Sequence, residues 1–275
     1  MRKSLTQRVV LATVGVLVAL VIVFPTYWMF VTSLKTPGEI LSPKYDLIPF
    51  SATFENFASA LSKDKFAVYL TNSLIVTLGA VLCALIAGTL AAIPLSRLRF
   101  RGRKGFLVLI MVAQLAPVAT LFIPLFLLMR DVGLINTLPG LMLIYFATTL
   151  PFTVWMLYGF VNGIPYDLEE AAMIDGCSQL GAFRRVTLPL LGPGLVTTSV
   201  FSFITAWNEF LFAVVLMKGD NQTLPVWLAS FRTAFGTDWG GVMAGSVIYA
   251  IPALVFFLIV QRKLVAGVAA GAVKG

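Results

Sequence analysis

One carboxylate in this 275-residue chain lies well inside an apolar run: Glu209, directly after Trp207 and Asn208. A carboxylate and a carboxamide can hydrogen-bond the hydroxyls of a ligand, with the indole as an apolar face. The same groups also serve to tie one helix to another. A charge near the middle of a bilayer costs about 2.5–3.5 kcal/mol on insertion scales, so Glu209 is expected to face protein or a cavity. Gln114 is a second polar candidate inside an apolar run, and Asn72 reads as the cap of its helix. Other chemistries are excluded. The chain has no histidine, hence no usual general base or proton shuttle and few routes to a transition-metal site. Cys83 and Cys177 give neither a disulfide framework nor metal-ligand spacing. There is no Gly-x-x-x-x-Gly-Lys-Ser/Thr phosphate loop, so the chain itself is not expected to bind ATP. With no paired carboxylates inside the apolar runs either, an enzyme is not expected.

The elements that carry these residues are set by solvent. Apolar residues make up 59% of the chain and charged residues 12%, with mean hydropathy +0.94; soluble domains carry about 25% charge. The net charge of +8 comes from basic residues at the ends of apolar runs, which points to lipid and not to nucleic acid. Those runs reach about 20 residues or more, enough to cross roughly 30 Å of hydrocarbon as helices. The expected fold is an all-α integral membrane protein with six transmembrane helices, near residues 9–34, 67–96, 105–129, 137–160, 191–217 and 241–261. The first run follows Arg2, Lys3 and Arg8 but is too long for a signal peptide and ends in no small-residue cleavage site, so it reads as a retained span.

An even number of spans puts both termini on one side. With the Arg97–Lys104 loop and the loop around Glu170, the termini hold 13 of the 20 Lys and Arg; the longer opposite loops hold 7. Positive-inside bias makes the richer side cytoplasmic. The expected organisation is a short N-terminus over 1–8, one membrane domain over 9–261 with a cytoplasmic loop at 161–190, and a tail over 262–275. In the outer loops, Phe54, Phe57, Ala58 and Leu61 have helical spacing, and Trp227 and Trp239 suit the interface. Pro94, Pro117, Pro124, Pro151 and Pro252, with Gly79 and Gly88, mark kinks and close helix packing or a pore lined by such kinks.

Between the fourth and fifth spans runs a polar island: Glu170-Ala171-Ala172, three residues, Gly176, nine residues, then Val186-Thr187-Leu188-Pro189. Asp167 and Glu170 are spaced as a capping box that starts a short helix. The alanines let another surface approach closely, Gly176 permits a left-handed turn that ends the helix, and Ser178 can cap a second short segment. A rigid, small-faced helix of this kind suits the transmission of force.

This island resembles the cytoplasmic loop of binding-protein-dependent ABC importer permeases, Glu-Ala-Ala, three residues, Gly, nine residues, Ile-x-Leu-Pro, with Val186 in place of isoleucine. Asn72-Ser73-Leu74, Ala91-Ala92, Arg97-Leu98-Arg99-Phe100, Trp207-Asn208-Glu209-Phe210 and Pro225-Val226 are similar to the carbohydrate branch. The tail, Gln261-Arg262-Lys263 onward, resembles the smaller permease of maltose-type importers.

The resemblance implies a permease subunit that moves a sugar inward by alternating access in a prokaryotic inner membrane. Its partners would be a second, related permease, two ATPase subunits that hold ATP and Mg, and an extracytoplasmic sugar-binding protein. It implies an ATPase contact through Glu169, Glu170, Ala171, Ala172, Ile174, Asp175, Gly176, Leu188 and Pro189, and through Gln261, Lys274 and Gly275 of the tail. Trp207, Asn208, Glu209 and Gln114 would line the substrate path. The alternatives are an ion-coupled secondary transporter, for which one intramembrane Glu and no His are poor equipment, and an ABC permease for a solute other than sugar.

Overall fold

The computed structural model describes the backbone of residues 5–272 apart from Tyr45, Asp64 and Phe235, and the side chains of residues 6–261 with the same exceptions. Its helices are α1 (Leu5–Ser33), α2 (Pro37–Ile40), α3 (Glu55–Ser62), α4 (Phe66–Arg97), α5 (Arg103–Leu115), α6 (Val118–Asp131) and α7 (Leu138–Asn162). They continue as α8 (Asp167–Ile174), α9 (Gln179–Ala182), α10 (Leu188–Leu190), α11 (Gly192–Trp207), α12 (Leu211–Leu216), α13 (Leu224–Ala229) and α14 (Trp239–Ala272). A two-stranded hairpin, β1 (Arg232–Thr233) with β2 (Gly236–Thr237), precedes α14.

Helix is the outcome hydrocarbon demands, because each backbone N–H and C=O must find its partner within the segment. Four helices, α1, α4, α7 and α14, are long and apolar enough to span by themselves. Among the described residues two helix pairs are long and apolar enough only when taken together, each bent at a short break: α5 with α6 by 98°, and the α9–α10 segment with α11 by 63°. Counting each bent pair as one span gives six. The third span is therefore not the single helix expected over 105–129. Pro117 cannot donate an N–H and drives Ala116 to an extended conformation (φ −65°, ψ 124°), ending α5 at Leu115. Pro94, Pro124, Pro151 and Pro252, by contrast, stay inside continuous helices.

Packing divides the chain into two units. One comprises the residues up to Phe66 together with Trp227–Ile251; the other comprises Ala67–Val226 and the residues from Pro252 onward. In the first, the C-terminal end of α1 is tied down by polar contacts. Asn56 donates to the carbonyls of Ser33 (2.9 Å) and Lys35 (2.8 Å). Glu39 closes a capping box with Thr36 at the start of α2 and accepts from the Phe50 and Ser51 amides at 2.8 and 2.9 Å. The apolar part of α1 itself is fully exposed within the chain.

In the second unit α7 is the central post, packed by α5, α6, α11 and α12. Two buried clusters fix the end of the bundle nearest α8: Leu95 with Ile110 and Val154, and Ala92 with Leu157, Val161, Ile164 and Leu191. At the opposite end, Asn72 is inside α4, not its cap. Its amide reaches across to the carbonyls of Asp220 (2.7 Å) and Gln222 (2.9 Å), while Ser73 Oγ accepts from Leu224 N–H at 2.7 Å. Asn136, in a left-handed conformation at φ 58°, holds the same loop through Lys218 and Asn221.

Candidate functional site

Pro165 and Tyr166 turn the chain out of α7 into α8. The expected capping box is not formed: Asp167 is already the first helical residue, and Tyr166, in the N-cap position, makes no side-chain cap. The Tyr166 carbonyl instead accepts from the amides of Glu169 (2.8 Å) and Glu170 (3.1 Å). Three acids in the first turn, Asp167, Glu169 and Glu170, sit where the helix dipole favours negative charge.

The other end is closed as the sequence predicts. Gly176 takes φ 90°, the Gly176 N–H reaches the Met173 carbonyl, and the Cys177 N–H reaches that of Ala172. This pair of bonds is a Schellman motif, which an L side chain at residue 176 would strain. Ser178 Oγ then accepts from Gly181 N–H and caps α9, and a π-helical turn over Phe183–Thr187 leads into α10, which contains Pro189. The result is a short helix stopped hard at its end and followed by a second capped segment.

Helical phase sorts the candidate residues of α8. Glu170, Ala171, Ile174, Asp175 and Gly176 are exposed, as are Leu188 and Pro189 further on; Ala172 is half-buried. Ile174 is 86% exposed, an apolar side chain presented at the tip of the helix. Glu169 departs from the expected surface. It is 7% exposed and turned inward, because residues 169, 172 and 173 share the face that packs on the bundle.

Its partner is Arg97, the last residue of α4, which the sequence had marked as part of a basic loop and of a branch resemblance but not as a partner of Glu169. Arg97 Nε and Nη2 both reach Glu169 Oε1, at 2.8 and 2.7 Å, and each side chain is only 10% exposed. Nη2 also donates to the Ile164 carbonyl at 3.0 Å, and the guanidinium lies 5.5 Å from the centre of the Tyr166 ring. Deleting one partner of such a buried pair leaves an uncompensated charge and costs about 3–5 kcal/mol. Close by, Ser96 donates to Asn162 (2.6 Å) and Arg103 to the Tyr158 hydroxyl (3.2 Å). The basic loop and the Glu170 loop thus meet at one end of the bundle.

The polar residues expected along a substrate path are mostly occupied elsewhere. Trp207 is 2% exposed and stacked on Phe203 at 5.5 Å, and Phe203 in turn stacks on Phe256 at 4.2 Å. Its indole is a core group with no face free for a sugar ring. Asn208 is exposed and its amide folds back to the Ile204 carbonyl (2.8 Å). Glu209 accepts from the amides of Phe212 (3.0 Å) and Ala213 (3.3 Å), capping α12 where the helix is broken, and its carbonyl accepts from the Tyr145 hydroxyl. The carboxylate is there to restart a helix within the membrane segment. Gln114 lies exposed on α5. Gln261 is half-buried near the end of the described side chains; Lys274 and Gly275 lie outside the described residues. Sequence reasoning also missed Tyr145 and the buried hydroxyl pair of Thr153 and Ser202 (3.1 Å) between α7 and α11, for which single hydroxyls in apolar helices give no distinguishing signal.

Comparison with known proteins agrees with this architecture. The family model of the binding-protein-dependent transport system inner membrane component matches residues 84–269. The chain is 48% identical to the diacetylchitobiose uptake system permease protein DasC of Streptomyces coelicolor, with 100% of both sequences covered. It is 36% identical to the trehalose/maltose transport system permease protein MalG of Thermococcus litoralis, again with 100% of both covered. Among solved structures, a chain of a bacterial ABC transporter that imports the polysaccharide alginate superposes with TM-score 0.79 at 24% identity, over 95% of this chain and 99% of that one.

Proposed function

The chain belongs to the binding-protein-dependent transport system inner membrane components, and on that premise we propose that it passes a sugar of disaccharide size into the cell, driven by separate ATPase subunits. It is a multi-pass membrane permease subunit of an importer and not itself an enzyme. The observation that carries the sugar reading is the 48% identity to a diacetylchitobiose permease along the whole chain.

In this reading α8 is the coupling helix on the cytoplasmic side. Glu170, Ala171, Ile174, Asp175 and Gly176 present its outer face to an ATPase subunit, with Leu188 and Pro189 beside it and Ala172 at the edge. The tail beyond Gln261 extends the same contact. ATP and Mg are held by a pair of ATPases, and a sugar-binding protein delivers cargo at the opposite loops. A second, related permease completes the pore. The exposed apolar length of α1 supports this last point, because such a helix needs lipid or another helix against it. Closure of the ATPases moves α8, and the bundle opens alternately to the two sides.

The test is reconstitution of the chain with its second permease, ATPases and receptor in liposomes containing ATP, with labelled diacetylchitobiose outside. ATP-dependent accumulation is expected. Accumulation that persists without ATP and collapses with the proton gradient would overturn the reading, and ATP-dependent uptake of other solutes with none of any sugar would overturn its cargo.

A further inference from the structure

The ion pair between Arg97 and Glu169 stands apart from the surface of α8. It joins residues 72 positions apart in sequence, one at the very end of a 32-residue spanning helix and the other in the first turn of α8. It also closes over packed apolar ground. The Ile164 carbonyl that receives Arg97 Nη2 belongs to the cluster of Ala92, Leu157, Val161, Ile164 and Leu191, which unites α4, α7 and the start of α11.

We infer that Arg97 and Glu169 are positioning residues that clamp the coupling helix to the second span, so that α8 and the end of α4 move as one body. This rests on the reading of α8 as the ATPase contact. The physical argument is one of stiffness. Without the clamp, α8 is held by the short Gly163–Tyr166 connection, by Gly176 and by its packing on α9 and the turn over Phe183–Thr187, none of which ties it to α4 by an ionic contact, and an ATPase pulling on it strains those softer links. With the clamp, the guanidinium holds the carboxylate and the Ile164 carbonyl together, and any displacement of α8 is delivered to α4. Paired groups taken out of water resist separation more than the same pair at the surface. Neither residue touches cargo or nucleotide; both act through the helix they hold.

The decisive measurement is the amount of labelled diacetylchitobiose accumulated per ATP hydrolysed by the reconstituted importer, beside co-purification of the ATPases. Glu169→Gln and Arg97→Gln are expected to assemble and hydrolyse ATP while uptake per ATP falls at least tenfold. The exchanged pair, Arg97→Glu with Glu169→Arg, is expected to recover a third or more of the original ratio. Single variants with an unchanged ratio would overturn the clamp. Should the single variants fail to assemble, the exchanged pair decides: coupled uptake supports the clamp, and failure to couple overturns it. An unaltered complex that shows no ATP-dependent uptake would instead strike the importer reading itself, a result separate from any loss confined to the variants.

Discussion

Gly88 on α4 faces Thr153 on α7 so closely that a methyl group added at residue 88 would stand 2.6 Å from Thr153 Cγ2. Thr153 cannot swing aside cheaply, since its hydroxyl donates to the Thr149 carbonyl and pairs with Ser202. Gly79, nine residues earlier on the same helix, would crowd only the far end of Met142, at 2.5 Å from Cε. A thioether is flexible and can re-seat. Gly88→Ala should therefore destabilise the bundle by about 1–3 kcal/mol, the usual cost of overpacking, whereas Gly79→Ala should change little. Thermal unfolding of the two variants in detergent, side by side, checks this; equal melting temperatures would refute it.

Glu209 offers a second contrast, between charge and capping. Its two oxygens serve the Phe212 and Ala213 amides. Glu209→Gln keeps one carbonyl acceptor and should preserve most uptake with an unaltered KM for the sugar. Glu209→Ala leaves both amides without that acceptor and should lower stability by about 0.5–2 kcal/mol, the range for lost caps. Uptake kinetics and unfolding of both variants separate the roles. A KM raised tenfold by the Gln variant would restore the carboxylate to the substrate path.

What the sequence made legible was whatever depends on one segment alone. Hydropathy located the spans, and Gly176 and Ser178 announced the end of α8 and the cap of α9 before any tertiary contact was known. What it withheld depends on distant partners. Glu169 and Glu170 are identical neighbours about 100° apart on a helix; which one turns inward is decided by Arg97, 72 residues away. Asn72 looked like a cap because the carbonyls it binds come from residues 220 and 222. Of the five prolines read as kinks, Pro94, Pro117, Pro124, Pro151 and Pro252, Pro117 alone coincides with a sharp bend, because the fate of a freed carbonyl in a membrane depends on its neighbours.

Gly176 tests the surface of α8 in another way. Its φ of 90° is open to glycine and costs other L residues about 1–2 kcal/mol. A methyl there meets nothing within 4 Å, so the penalty is conformational and not a clash. Gly176→Ala should leave membrane insertion intact while weakening the Schellman closure, with a several-fold fall in uptake per ATP. Gly176→Pro, which also removes the N–H bonded to Met173, should abolish coupled uptake. Retention of coupled transport by the proline variant would dissociate α8 from the ATPase contact.

The loop after α1 carries a test by acidity. Hydrogen bonds hold the Glu39 carboxyl below its ordinary value of 4.5, the Thr36 amide contributing most, the Ser51 and Phe50 amides adding to it, and partial desolvation opposing them. A carboxylate whose folded value is depressed stabilises its fold fully above the unfolded value and loses that contribution as the pH falls through the folded one. Local protection of the Phe50 and Ser51 amides, corrected for the intrinsic exchange rate, should therefore be constant above pH 4.5 and decline below it. Glu39→Gln should show weaker protection at neutral pH and a flat profile through the same range. Hydrogen exchange read by mass spectrometry on the 36–51 segment makes the comparison. A decline of equal steepness in the Gln variant would assign the acid sensitivity to another group.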